Sequence, residues 1–230
     1  MSSFQAQTNE MLARLPIHHQ DSIQKAGRHV DLEPGLVLHR VGQPTTSYFF
    51  PVTGVVSLTV PVKDGQQVEV GLVGREGVVG VGALLGNDRH DLEAMAQIRG
   101  RGFEVPVGAI VGDLGEALRA LGARYASSLM VELAQSAACN RLHSVEERTA
   151  RWLLQAGDHA RTKDLRLTHE FLAMMLAVRR ASVTVVVGVF DRAGLIVAKR
   201  GRISLADRDG LAEVACDCYK MIRASAPKYD

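Results

Sequence analysis

Residues 167–190, LTHEFLAMMLAVRRASVTVVVGVF, carry the spacing of two short helices joined by a tight turn. Thr168 suits an N-cap, its hydroxyl accepting an N–H of the first turn, and Glu170 places negative charge near the positive end of the dipole. Apolar residues recur at Leu172, Leu176, Val178, Val183 and Val186, with small residues at Ala173, where the helices approach, and at Ala177, in the turn. That pattern buries one helix against the other, as in a helix-turn-helix. The second helix is expected to begin near Arg179 and Arg180, with Ala181, Ser182 and Val185 outward. Short and cationic side chains at the start of an exposed helix suit a DNA major groove. Twenty-odd residues alone leave a second reading open, an ordinary helical hairpin with a solvated basic edge.

The charge distribution favours the first reading. The 230-residue chain has a net charge of only +2. From Ser144 onward, 15 Lys and Arg stand against 11 Asp and Glu, whereas the first 143 residues hold 12 against 14. The basic excess lies with the candidate helix-turn-helix. Three cysteines, Cys139, Cys216 and Cys218, make no disulfide framework. The Cys-x-Cys pair is one residue too close for the usual zinc or redox spacing, and no second ligand pair accompanies it in the sequence. All three are expected to be reduced and structural, with no metal site. No signal peptide or membrane-spanning run is apparent, so a cytoplasmic, soluble protein is expected.

Upstream, residues 4–28 suggest one or two short helices interrupted at Pro16, with His18 and His19 on the surface. Between Val30 and Val107, short β-branched and aromatic runs alternate with glycine turns, which points to an antiparallel roll. Asp64-Gly65 is the strongest hairpin signal, and Gly74–Gly77 suggests a turn. His39 and His90 lie far apart in sequence, without the H-x-H pair of a cupin-like metal site. Walker loops, nucleophile elbows and paired acid/base carboxylates are missing too, so the chain is not expected to be an enzyme. A long helix is expected over residues 114–143. Its stripe of Leu114, Leu118, Leu121, Tyr125, Ser128, Glu132, Gln135 and Cys139 alternates at four and three residues and predicts a dimer seam. Another helix is expected over Glu146–Ala156. After the helix-turn-helix, Leu195–Val197 and Arg202–Leu205 predict a hairpin with a basic tip at Lys199, Arg200 and Arg202. Such a wing is suited to phosphates. One final helix is expected from Arg208 to Ala224.

In this order the parts resemble the Crp/Fnr family of bacterial transcription regulators. The resemblance runs from about Val30 to near the C-terminus, and its sharpest local match is Arg180, Ser182 and Val183. It implies an α+β fold in three parts. Residues 1–113 would form N-terminal helices and an antiparallel β-roll sensor (a double-stranded β-helix, like cyclic-nucleotide-binding domains). Residues 114–143 would form a dimerisation helix, and residues 144–230 a winged helix-turn-helix. It further implies a homodimer bound to double-stranded DNA at an inverted-repeat promoter site, with RNA polymerase as a partner and no membrane. Arg179 and Arg180 would read bases, while Thr168, His169, Ser182, Lys199, Arg200 and Arg202 would hold the backbone. Family recognition helices commonly follow the arginine with glutamate; here Ala181 takes that place, so a different base preference is expected. A turn glycine common in the family is replaced by Ala177.

Cyclic-AMP-binding members carry Gly-Glu-Leu/Phe and then Arg-Ser/Thr in the roll. Here the corresponding stretches are read as Gly80-Val81-Gly82 and Glu93-Ala94, and a glutamate in place of the arginine would repel a phosphate. Cyclic AMP is therefore disfavoured, as is an iron–sulfur cluster, since the N-terminus holds no cysteine. No cofactor is evident, and an unidentified small-molecule effector is compatible with the roll. Two other functions stay open: a ligand sensor whose output is a protein contact, and, less well supported, a cupin-like metalloenzyme.

Overall fold

The computed structural model describes residues 9–62 and 67–229. The chain forms two compact units. One gathers the residues up to Leu58, Leu72–Met130 and those from Ala226 on; the other gathers Thr59–Gly71 and Val131–Ser225. Among the described residues no single helix is long and apolar enough to cross a membrane.

The first unit opens with a 3-10 turn, Leu12–Arg14, and helix α1, Ile17–Ala26, which starts directly after Pro16. Any helix expected before Asn9 lies outside the described residues. The strands are β1 (Arg28–Leu32), β2 (Val37–His39), β3 (Ser47–Pro61), β4 (Gln67–Val73) and β5 (Glu93–Pro106), with a one-turn helix α2 (Val81–Leu84) between β4 and β5. They form one sheet in the order β1-β5-β3-β4, with β2 also on β5. The β1–β5 ladder is antiparallel, pairing His29 with Phe103 and Leu32 with Gly100. The expected hairpin tip at Asp64-Gly65 lies outside the described residues. The expected Gly74–Gly77 turn forms, closed by a Gly77 N–H to Gly74 carbonyl bond of 3.1 Å. Leu32, Phe49, Phe50, Val55, Val56, Leu72 and Phe103 fill the core. Asn9 is fully buried yet satisfied: its amide donates to Pro51 O at 3.0 Å and Gly77 O at 2.7 Å, and its oxygen accepts from Met11 N.

Helix α3 spans Gly112–Leu142, close to its expected range. Tyr125 packs so tightly on Gly77 that a Cβ there would lie 2.3 Å from the ring. The expected dimer stripe is corrected by burial. Leu114, Leu118, Tyr125, Glu132 and Cys139 are buried within the chain itself, and Leu121, Ser128 and Gln135 are half-buried. Periodicity identifies the face that must be covered, but here the same chain covers it. The outward face carries Ala120, Ala123, Ser127, Met130, Val131, Ala134, Ala137 and Arg141, with Met130 69% exposed.

In the second unit, α4 spans Val145–Ala160, starting one residue before and ending four after the expected range, and a capping box locks its start. Ser144 Oγ accepts from Glu147 N at 3.2 Å, and Glu147 accepts in return from Ser144 N at 2.8 Å. Strand β6 (Asp164–Leu165), α5 (His169–Met175), α6 (Arg180–Arg192), β7 (Ile196–Lys199) and β8 (Arg202–Leu205) follow. The wing is a three-stranded sheet, β6-β8-β7, one strand more than expected. Trp152, Leu153, Leu172, Val183, Phe190, Ile203 and Leu211 make its core. Trp152 donates its indole N–H to Glu69 at 2.6 Å.

The single C-terminal helix expected from Arg208 is instead two, α7 (Arg208–Val214) and α8 (Cys218–Ala224), separated where Ala215 is extended. In a continuous helix Cys216 and Cys218 would lie about 200° apart and could not both turn inward. The break buries both beside Cys139.

Candidate nucleic-acid interface and roll cavity

Thr168 caps α5 as expected, accepting from Phe171 N at 3.2 Å. Helices α5 and α6 meet at 111°. The turn between them closes through Val178 N to Ala173 O at 3.0 Å and Ala177 N to Met174 O at 3.1 Å. Ala177 is left-handed, φ +51°, the conformation for which glycine is the usual residue, at a cost of about 1 kcal/mol. Arg148, buried on α4, spans to this turn by donating to Leu176 O and to Asn140 Oδ1, the latter at 2.9 Å. The sequence holds no sign of that clamp, since an arginine in a basic region reads as surface.

Arg179 stands at the N-cap of α6 and Arg180 opens the helix. Both are exposed, together with Ala181, Thr184 and Val185, while Ser182 is half-buried. The Arg180 guanidinium lies 3.5 Å from Glu170, in a solvent-exposed pair that contributes little stability and can be given up to a ligand. His169 Nδ1 is 3.1 Å from Thr184 Oγ1, which ties the first turn of α5 to α6. On the wing, Lys199 and Arg200 are exposed at the Arg200-Gly201 turn, where Gly201 takes φ +70°. Arg202 is held otherwise: it donates to Asp164 Oδ1 at 2.9 Å, which Ser204 also approaches. These partners keep the Asp164 carboxyl below the usual range, chiefly through Ser204 and then Arg202. Arg202 therefore braces the wing, and Lys199 and Arg200 are its available cations. Val185, 65% exposed on the outer face of α6, offers the apolar surface that suits a thymine methyl.

Residues 147–214 match the Crp-like helix-turn-helix domain family, and residues 29–111 match the cyclic nucleotide-binding domain family. The chain belongs with the Crp/Fnr-type transcription regulators. Among solved structures it is similar to a CRP/FNR-family transcriptional regulator from Thermus thermophilus, with 25% identity over 82% of this chain and 98% of that one, TM-score 0.65. A CRP-family regulator from the same organism shares the fold at 20% identity, over 82% and 96% of the two chains, TM-score 0.66. FixK2 from Bradyrhizobium japonicum does so at 17%, over 83% and 98%, TM-score 0.65. No curated protein sequence matches the chain significantly.

The roll of this Crp/Fnr-type chain contains a cavity of about 170 Å³, lined by His39, Thr45, Val79, Gly80, Arg89 and His90 among others. Val81, Gly82 and Ala94 also line it. Glu93 does not; it lies 3.6 Å from Arg40. The cation at the cavity is Arg89, so the expected glutamate-for-arginine exchange is not what this wall presents. His39 and His90, distant in sequence, are neighbours here, their rings stacked 3.8 Å apart. Gly80 takes φ +91°, and a Cβ added there would lie 3.2 Å from the His39 ring.

Burial, with the neighbouring His90 adding to it against the pull of Glu104 and the Ser47 backbone, lowers the His39 pKa to about 4. His90 is also lowered by burial, which Asp91 partly opposes. Unfolded, His39 protonates near 6.5, so between that pH and about 4 the unfolded chain holds the extra proton. Stability is complete above pH 6.5 and declines as pH falls through this window. Thermal melts at pH 7 and pH 5 should differ by up to about 2 kcal/mol from this site, and His39→Gln should shrink the difference. An unchanged pH dependence in the variant would refute the assignment.

Proposed function

We propose that this regulator binds DNA as a homodimer in the cytoplasm, without enzymatic activity, and reads an inverted-repeat promoter site with one α6 per half-site. The carrying observation is the exposed edge formed by Arg179, Arg180 and Ala181, with the half-buried Ser182 beside it and Lys199 and Arg200 exposed on the wing. In this arrangement Arg179 and Arg180 meet base edges, and Thr168, His169, Ser182, Lys199 and Arg200 meet phosphates. The second copy docks along the outward face of α3, where alanines and Met130 let two helices approach closely. RNA polymerase is the expected partner of the DNA-bound form.

The cavity in the roll is smaller than the roughly 300–1,000 Å³ of ordinary small-molecule pockets. That size, and Val81 where a ribose-binding glutamate would stand, support an effector other than cyclic AMP. Selection of bound DNA from a random pool tests the reading. Two half-sites roughly 34–36 Å apart, retained in a salt-dependent way, are expected. A single half-site would overturn the dimer, and retention insensitive to salt would favour a sensor acting through protein contacts.

A further inference from the structure

Cys139, His143, Cys216 and Cys218 come from two segments some 75 residues apart, yet one ligand atom from each lies within 4.8 Å of all the others. The Cys139 and Cys216 sulfurs are 3.5 Å apart, and Cys218 Sγ is 3.7 Å from His143 Nδ1. In a tetrahedral zinc centre, bonds of about 2.3 Å to sulfur and about 2.0–2.1 Å to nitrogen place ligand atoms roughly 3.3–3.8 Å from one another. The observed pairs already sit at those separations. This replaces the expectation that the cysteines lack companion ligands: the second pair is Cys139 and His143, one helical turn apart at the end of α3.

Three buried thiols can be simple packing, since cysteine behaves as a small apolar residue. Two features exceed what packing requires. The break between α7 and α8 turns both Cys216 and Cys218 towards the same point, next to an imidazole nitrogen. Two buried guanidiniums also stand beside the thiols, Arg148 and Arg151, at 8% and 6% exposure, both interacting electrostatically with Cys139. Arg148 donates to Asn140 and the Leu176 carbonyl, and Arg151 donates to Gln155 and also hydrogen-bonds the Cys139 sulfur. Buried cations call for negative charge nearby. A zinc ion held by three thiolates and one neutral imidazole has a net charge of −1 and supplies it.

We propose that Cys139, His143, Cys216 and Cys218 bind one zinc ion per chain in a closed tetrahedral site. Binding releases the three thiol protons to solvent and forms three Zn–S bonds and one Zn–N bond, with no change of oxidation state. Thiolate and imidazole together favour zinc over magnesium or calcium. The closed ligand set makes the site structural. It joins the end of α3 to the start of α8, and Arg148 links the same cluster to the Leu176 carbonyl at the helix-turn-helix.

The test uses the untagged full chain, reduced, stripped with a chelator and titrated anaerobically with zinc, then with cobalt(II). One equivalent of zinc is expected to bind, with a rise in melting temperature, and cobalt is expected to give the intense visible absorption of a tetrahedral thiolate site. Cys139→Ala, Cys216→Ala and His143→Gln should each weaken zinc binding at least tenfold. The alanine variants retain small apolar side chains, and circular dichroism of the metal-free forms shows whether each is folded. Absence of stoichiometric zinc in the folded wild type would overturn the proposal. So would affinity unchanged in the folded His143→Gln variant, or iron and sulfide in place of zinc in protein isolated without oxygen. The readouts do not involve DNA, so they succeed or fail independently of the regulatory reading.

Discussion

Arg180→Ala is expected to weaken binding to the cognate site by ~1–3 kcal/mol per half-site, and to relax discrimination at the base pair it reads. With two half-sites engaged, the loss in affinity is on the order of 30-fold at the low end and on the order of 20,000-fold at the high end. The size follows from placement. Arg180 begins α6, its side chain is 68% exposed, and its ion pair with Glu170 is open to solvent. It can therefore reach a guanine edge at little cost. Arg200→Ala, on the exposed wing turn, is the contrast. Without that phosphate partner, cognate and random DNA should bind more weakly alike, and the salt dependence should fall by about one ion per subunit. Titrations of both variants on selected and random duplexes separate the two. Equal weakening on both duplexes for Arg180→Ala would remove it from the base-reading set.

Phe190→Ala should cost ~3–5 kcal/mol of stability, seen as a lower denaturation midpoint. The ring lies fully buried in the last turn of α6, and the Phe190 carbonyl accepts from Leu195 N at 3.0 Å as the chain turns towards the wing. Truncation leaves a cavity where α6 packs on its neighbours. DNA binding should fall with the folded population although no DNA-facing atom has changed. Val185→Ala, five residues earlier on the exposed face, should leave the midpoint within about 0.5 kcal/mol. A small shift for Phe190→Ala would mean that the core re-forms around the gap.

Much of this is legible in local pattern. The cap at Thr168, the turn at Ala177 and the start of α6 at Arg180 each follow from residues within one or two turns, where periodicity and capping act. The Ser144-x-x-Glu147 box belongs to the same class, although the start expected at Glu146 makes no use of it. Contacts between distant segments are not legible. The α3 stripe is apolar as the sequence indicates, but periodicity does not say whether the covering surface is another molecule or the same chain. His39 and His90 look unrelated until β2 and the segment before β5 bring their rings into a stack. Cys139 and Cys216 are isolated in sequence because a helix break, unmarked by proline or glycine, sets the direction of the second thiol. Arg148 reads as one more surface cation, whereas burial against α5 makes it a clamp.

Helix α6 divides its residues cleanly. Val183, Val186, Val187 and Phe190 are buried, whereas Arg180, Ala181, Thr184 and Val185 are exposed. Surface substitutions of the second kind usually change stability by less than about 0.5 kcal/mol. Duplicated copies of such a gene could therefore diverge in their operators by drifting at those four positions without passing through unfolded intermediates. Ala177 has no such latitude. At φ +51° it admits few residue types besides glycine and asparagine, so one methyl-bearing position sets the limit within which the neighbouring helix is free to evolve new targets.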